Sequence, residues 1–245
     1  MTPANPVVLI PARCAAARLP NKPLADIAGA PMIVHVWRRA CAADCGRVVV
    51  AAADPAIAEA VQAAGGEAVL TDPDLPSGSD RIHAALAQID AEETHDIVVN
   101  LQGDLPTLDP AFIRRVCDIL TRHEADIATL AAEADSEIAT NPDIVKAVVA
   151  WDKDGEEGRA LDFTRAPVED SALYEHIGLY AFRRAALEKF VALPPSPRER
   201  QENLEQLRAL EAGMHIHVAR VAAAPVGVDT ADDLAAARRV LAAAS

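Results

Sequence analysis

Three cations crowd one early stretch of this chain, Arg13, Arg18 and Lys22, with no acidic residue among them. A planar guanidinium fork and a compact ammonium are the groups that hold phosphate oxygens. Two carboxylates far apart in the chain, Asp104 and Asp229, carry the complementary chemistry. If they converge, they form a hard oxygen site of the kind that suits Mg²⁺, which takes one or two carboxylates and completes its shell with water and phosphate. Ser77-Gly78-Ser79-Asp80-Arg81 places small residues at a helix start, where backbone amides and the helix dipole favour an anion. A plain helix cap by Ser77 or Ser79 is the more ordinary reading of that run. Asn100-Leu101-Gln102-Gly103-Asp104 closes a strand, and Gly103 permits close backbone approach. Gly227-Val228-Asp229-Thr230 precedes the last helix, which Asp229 could cap. Arg165 and His176 lie in apolar settings, and alternation along 174–182 puts His176, Gly178 and Tyr180 on one face. Arg165 with His176 could hold a carboxylate or a polyol.

Elements that would position these groups follow from periodicity. Val7–Ile10 reads as a buried parallel strand that empties into the cationic loop, with a helix starting at Pro31. That loop lacks the glycines of a Walker A or dinucleotide-binding turn, so phosphate binding would fall to its side chains and backbone amides. Strands at Arg47–Ala53, Glu67–Thr71 and Asp96–Gln102 alternate with helices at Pro55–Ala64, Ser79–Ile89 and Pro110–His123. The order implies a doubly wound, mostly parallel α/β sheet, which binds ligands at the carboxyl edge of its strands. After residue 125 strands predominate: Ile127–Ala131, Ile144–Trp151, Arg159–Thr164 and Ile177–Phe182. A smaller antiparallel extension is expected there. Helices then read at Ala185–Ala192 and Glu199–Ala212, a strand at His215–Val221, and an Ala-rich helix at Ala231–Ala244. The whole is expected to be one α/β domain over 1–245, with a subregion at about 140–212.

The 245 residues suffice for such a domain, and 51% apolar composition supplies its core. Aromatics are only 3%, so Ala, Val, Leu and Ile must build it. A net charge of −14 argues against nucleic acid or an anionic membrane as partner, though not against a small anion in a local basic pocket. The N-terminus reads as no signal peptide and no apolar run reaches the roughly 20 residues of a membrane span, so a cytoplasmic protein is expected. Cys14, Cys41, Cys45 and Cys117 have no familiar metal spacing and read as reduced, packed thiols.

With those pieces in order, the chain resembles the 3-deoxy-manno-octulosonate (Kdo) cytidylyltransferases, or CMP-Kdo synthetases. The matching segments are IPARCAAARLPNKPLADIAGAPMIVHV, SGSDR, VNLQGDLP, NPDIVKAV, ALDFTRAP, HIGLYAFRR, LEQLRALEAG and GVDTADDL, nearly end to end. The resemblance implies a nucleotide-diphospho-sugar transferase-like fold, a homodimer, Mg²⁺ as cofactor, and the reaction CTP + Kdo → CMP-Kdo + pyrophosphate. It implies that Arg13, Lys22 and Arg18 contact the triphosphate. Ser77 and Arg81 fall near the cytidine and phosphates, and Gln102 at the base or adjacent sugar. Asp104 and Asp229 match the metal-binding aspartates, and with Lys22 they form the catalytic set. Arg165, His176, Tyr180 and Glu205, with Glu202 and Gln206, match the Kdo-binding set, which makes 140–212 the sugar-binding and dimerisation subregion. The sequence departs from the family at Cys14, Leu105 and Asp162, and in a shorter segment between Pro167 and Tyr174. Alternatives are a related sugar acid, 8-amino-Kdo or sialic acid, a glycosyltransferase on a related nucleotide-binding fold, and a non-catalytic nucleotide-binding protein.

Overall fold

Runs of β-branched and small apolar residues make the buried strands of this protein, seen in a computed structural model that describes residues 4–15, 18–134, 138, 140–167 and 174–243. By internal contacts the chain divides into two compact units, Met1–Arg114 with Pro225–Ser245, and Arg115–Ala224.

In the first unit β1 (Pro6–Ala12) is buried along nearly its whole length, as a central parallel strand must be. The Lys22–Leu24 turn is a short 3₁₀ helix, and β2 (Asp26–Ile27) and β3 (Ala30–Pro31) form a small ribbon. Its two central residues, Ala28 and Gly29, have φ of 50° and 83°, the hand a two-residue hairpin needs. Helix α1 (Met32–Ala42), β4 (Arg47–Ala52), α2 (Pro55–Ala63), β5 (Glu67–Leu70), α3 (Gly78–Ile89) and β6 (Ile97–Leu101) follow. The parallel order β5-β4-β1-β6 reverses direction at β1, because the chain runs outward through β4 and β5 and then returns to β6. A crevice opens at the carboxyl ends of β1 and β6 for that reason. The last helix, Ala231–Ala243, returns to this unit. Leu234, Ala237 and Leu241 on it pack with Ile27, Met32 and Val228. Each buried Leu or Ile there contributes about 2 kcal/mol. Arg238 fixes the same helix to the ribbon, donating twice to the Asp26 carbonyl at 2.7 and 2.9 Å.

Helix α4 (Pro110–Arg122) leads into the second unit, whose strands are β7 (Ile127–Glu133), β8 (Lys146–Trp151), β9 (Glu157–Thr164), β10 (Tyr174–Arg183) and β11 (Ile216–Val221). They pair in the order β10-β7-β11-β9-β8, and β8 pairs back on β10 through Tyr174 and Glu175. All these pairings are antiparallel except β7 with β11. The antiparallel part expected after residue 125 is this five-stranded ring. The single helix expected over Glu199–Ala212 is instead two, Pro197–Glu202 and Gln206–Glu211. Asn203 between them adopts φ 53°, the left-handed conformation that ends a helix and that Asn tolerates. Ser196 and Glu199 form a capping box at the start of the first.

A buried charge organises this unit. Glu157, its side chain 8% exposed, meets Arg115 and Arg122 of α4 at 2.9 and 2.5 Å and His123 at 2.7 Å. Burial pushes the carboxyl pKa up, but Arg122, His123 and Arg115 outweigh burial and bring it to about 2. A depressed carboxylate stabilises the fold fully above its unfolded pKa near 4.5 and loses that contribution as pH falls toward 2. Glu157→Gln is therefore expected to cost about 2 kcal/mol at pH 7, because charged hydrogen bonds are lost and two guanidiniums are left. Urea unfolding of both proteins checks it. The advantage of Glu157 should shrink on going from pH 4.5 to pH 3, and one that stays constant over that window contradicts the assignment. His217 lies beside this group with both ring nitrogens buried and no hydrogen-bond partner among the described residues.

Candidate functional site

The cleft at the carboxyl ends of β1 and β6 has a volume of about 320 Å³, and Arg13, Lys22, Ser77, Arg81, Gln102 and Asp104 all line it. The strand order brings these residues, far apart in the chain, to one wall. Gly103 lets β6 end against β1. A Cβ there would lie 2.9 Å from the Pro11 carbonyl oxygen. The cationic loop is anchored at its base, where the Cys14 amide donates to Asp54 at 2.8 Å and the Asn21 amide to the Cys14 carbonyl at 3.1 Å. Asn21 turns left-handed, φ 55°, and Lys22 opens the 3₁₀ turn with Pro23 buried behind it.

Lys22 joins the two aspartates. Its Nζ donates to Oδ2 of Asp104 and to Oδ1 of Asp229, each at 2.9 Å, and Arg18 donates to Oδ2 of Asp229 at 2.9 Å. The two carboxylates come together because Val228 donates its amide to the Asp104 carbonyl at 3.0 Å, which lays the 227–229 stretch beside the end of β6. Burial works to lower the Lys22 pKa, but the pull of Asp104 and Asp229 exceeds it, and the net shift is upward. The reading of Asp229 as the cap of the last helix is corrected. Thr230 does that work: its hydroxyl accepts from the Asp233 amide at 3.2 Å, and the Asp233 carboxylate accepts from the amides of Thr230 and Asp229 at 2.8 and 3.1 Å. This reciprocal cap leaves the Asp229 carboxylate directed at Lys22 and Arg18.

Ser77 is the cap of α3 and lines the cleft as well. Its hydroxyl accepts from the Asp80 amide at 3.1 Å and lies 2.6 Å from the Asp80 carboxylate. Arg81, only 2% exposed, donates to the Thr71 hydroxyl at 2.6 Å and to the Asp72 and Pro73 carbonyls at 2.9 and 3.3 Å. Burial, then the nearby Arg13, lowers its pKa. Two guanidiniums that repel one another across a cleft wall make a place for an anion. Gln102 donates to Asn100 at 3.1 Å and turns its carbonyl oxygen toward Gly78.

The remaining candidates belong to the second unit. A bulge in β10 between Ile177 and Tyr180 leaves the His176 and Tyr180 rings 5.3 Å apart, with Phe163 edge-on to His176 at 4.9 Å. The Thr129 hydroxyl donates to the Leu179 carbonyl at 2.8 Å and lies 3.0 Å from His176 Nε2, which places the ring proton on that nitrogen. Burial holds His176 neutral, its pKa near 3, and burial together with Glu205 pushes Tyr180 upward. Arg165 sends its guanidinium to the Asp143 carbonyl at 2.8 Å, and its amide lies 3.5 Å from Glu202. Gln206 is buried at the start of its short helix. The shortened segment after Pro167 falls at 168–173, outside the described residues. One residue was not picked out from sequence. Lys146 is fully buried and donates to the Asn141 and Arg165 carbonyls at 2.8 and 2.7 Å, tying the Arg165 backbone to the start of β8. The signal available was a lysine inside the apolar run IVKAVV.

For a divalent cation the donor sets differ in kind. Asp104 and Asp229 are hard oxygen donors that already share one positive charge, and they fit magnesium. His123, Glu157 and His217 also lie within 4.8 Å of one another. There the Glu157 oxygens are taken by two arginines, and the imidazoles stack at 4.1 Å and 22°, so their in-plane lone pairs do not converge on a point. That group is a structural ion-pair cluster.

Comparison with known proteins agrees with this geometry. The family pattern described as cytidylyltransferase matches residues 7–216. A 3-deoxy-manno-octulosonate cytidylyltransferase of Parvibaculum lavamentivorans is 61% identical over 97% of this chain and 93% of its own. One of the same name from Rhodospirillum centenum is 60% identical over 98% and 94%. The solved structure of a CMP:2-keto-3-deoxy-manno-octonic acid synthetase complexed with CTP superposes with a TM-score of 0.89, at 37% identity, over 99% of this chain and 100% of that one. On these matches this chain belongs to the cytidylyltransferase family.

Proposed function

We propose that the protein activates 3-deoxy-D-manno-octulosonate, the sugar acid of lipopolysaccharide, with CTP, giving CMP-Kdo and pyrophosphate. The observation that carries the reading is the Lys22–Asp104–Asp229 group at the mouth of a cleft lined by Arg13 and Arg81. The 2-hydroxyl of the sugar attacks the α-phosphorus in line, and pyrophosphate leaves. Charge spreads over phosphoryl oxygens, so the chain's part is to position and to offset charge. Arg13, Arg18 and Lys22 hold the triphosphate and neutralise the leaving group. Ser77 and Gln102 face the nucleoside, and Arg81 braces the 71–73 backbone on the same wall. Asp104 and Asp229 would hold magnesium, which would supply Lewis-acid polarisation of the phosphate. His176, kept neutral, and Tyr180, Arg165, Glu202, Glu205 and Gln206 present hydroxyl- and carboxylate-binding groups for the sugar. A homodimer working in the cytoplasm belongs to the same proposal; among the described residues no helix is long and apolar enough to cross a membrane.

Pyrophosphate release with CTP, Kdo and Mg²⁺ tests the reading, run beside 8-amino-Kdo and N-acetylneuraminate and repeated in EDTA. Turnover is expected with Kdo, at least tenfold above the other two acids, and loss of at least 95% of it in EDTA. CTP binding without pyrophosphate release on any of the three would make the protein a nucleotide sensor and overturn the proposal.

A further inference from the structure

Asp104 and Asp229 are matched charge for charge by side chains of the basic turn. Lys22 Nζ takes one oxygen from each, and Arg18 takes the second oxygen of Asp229. Two carboxylates and two cations make a neutral group, so a divalent ion entering it must displace an ammonium. That ammonium is well held. Its side chain is 14% exposed, and its backbone is locked by the 3₁₀ turn, where the Ala25 amide donates to the Lys22 carbonyl at 3.1 Å. Lys22 also lines the cleft that contains Arg13 and Arg81. One lysine thus faces both the carboxylates and the place of the phosphates. Its four-carbon stem is flexible, so the ammonium can turn from one toward the other.

We infer that Lys22 holds the metal's place between Asp104 and Asp229 in the free enzyme, and that the arriving triphosphate draws the ammonium onto its own oxygens and so opens the seat. The inference rests on the reading of the cleft as a CTP site. A triphosphate carries more negative charge than the two aspartates together, and it enters where Arg13 already raises the potential. Metal and nucleotide are then coupled ligands, each raising the affinity of the other by the same factor. A cation with no nucleotide gains little, because binding it would strand a nearly buried ammonium. The arrangement also keeps two neighbouring carboxylates from repelling one another before substrate arrives.

Mn²⁺ binding to the full-length protein without nucleotide, read by the electron paramagnetic resonance of free Mn²⁺, tests this directly. Lys22→Met, close in size and uncharged, is expected to bind Mn²⁺ at least tenfold more tightly than the unaltered protein, and Lys22→Arg no more tightly. Lys22→Gln gives a second neutral variant should the first fold poorly. Adding Asp104→Asn to Lys22→Met should abolish the gain, which places the ion at these carboxylates. In parallel, the gain in CTP affinity on adding Mn²⁺ should be larger in the unaltered protein than in Lys22→Met. Equal Mn²⁺ affinity in the unaltered protein and both neutral variants overturns the inference while leaving the reaction standing. Failure of pyrophosphate release with Kdo overturns the functional reading and leaves the Mn²⁺ comparison intact.

Discussion

Asp104→Asn and Asp229→Asn are each expected to lower kcat about a thousandfold while the protein stays folded. The size of the effect follows from the charge removed. Loss of one preorganised electrostatic group aimed at developing charge costs about 4 kcal/mol in the transition state, or roughly three orders of magnitude. Asn keeps the volume and one oxygen, so packing around the end of β6 and the 227–229 stretch is unchanged. The fold survives because these ion pairs are part-exposed, with side-chain exposures of 33% for Asp104 and 51% for Asp229, and such pairs contribute under about 1 kcal/mol. The two variants should differ in detail. Asp104→Asn takes from Lys22 its more buried partner, whereas Asp229→Asn also releases Arg18. CTP affinity measured without metal should therefore rise in both, since each loosens Lys22, and rise more in the second, where Arg18 also becomes free for phosphate. Thermal unfolding and single-turnover kinetics check both halves. Full kcat in either variant removes the two-carboxylate assignment.

How much of this could be read from the chain alone depends on the range of the interactions. Val7–Ile10 is a continuous apolar run and Ile97–Leu101 is one broken only by Asn100, and the local pattern that marks them also buries them. The ribbon at Asp26–Pro31 is too short for any period, and two positive φ angles make it; Ala28 gives no warning of its own. The break at Asn203 was missed because the apolar period runs on through it in Leu204 and Leu207. At the last helix the run Asp229-Thr230-Ala231-Asp232-Asp233 offers two caps. Thr-x-x-Asp is itself a capping-box pattern, and it removes the cap alternative for Asp229, which agrees with its reading as a cleft carboxylate. The site groups were legible as types, a basic loop and two strand- or helix-end aspartates. Their contacts were not. Lys22 reaches Asp104 across 82 positions and Asp229 across 207, and no local rule orders an ammonium between two carboxylates at that range. Lys146 was hidden for a related reason: a buried lysine satisfied by two backbone carbonyls has no partner that a sequence can name.

Gly103→Ala is expected to lower kcat about a hundredfold, through one methyl group that touches no substrate. The Cβ would meet the Pro11 carbonyl oxygen at 2.9 Å, Ile33 at 3.4 Å and Ala12 at 3.7 Å. The first is backbone of the central strand β1, paired with β4 through Pro11 and Ala12 and with β6 up to Leu9, so it has little room to step back. The turn at the end of β6 must move instead, and it carries Gln102 on one side of Gly103 and Asp104 on the other. Asp104 is then displaced against Lys22 by some fraction of an ångström up to about 1 Å, a misplacement that costs on the order of 10² in rate. The Val228 amide bonded to the Asp104 carbonyl moves with it, so Asp229 follows in part and the pair is disturbed together. Stability should fall by about 1–3 kcal/mol, the ordinary range for overpacking a filled interior. The kinetic signature separates this from a simple loss of fold: kcat falls at saturating CTP in protein that remains fully folded by circular dichroism. Gly227→Ala is the internal control. Among the described residues its Cβ would meet only the flexible Leu105 side chain, at 3.7 Å, so the same methyl on the neighbouring 227–229 stretch of the site should leave kcat within about twofold. A hundredfold loss in both variants, or in neither, would show that the approach of Gly103 to β1 does not set the position of Asp104.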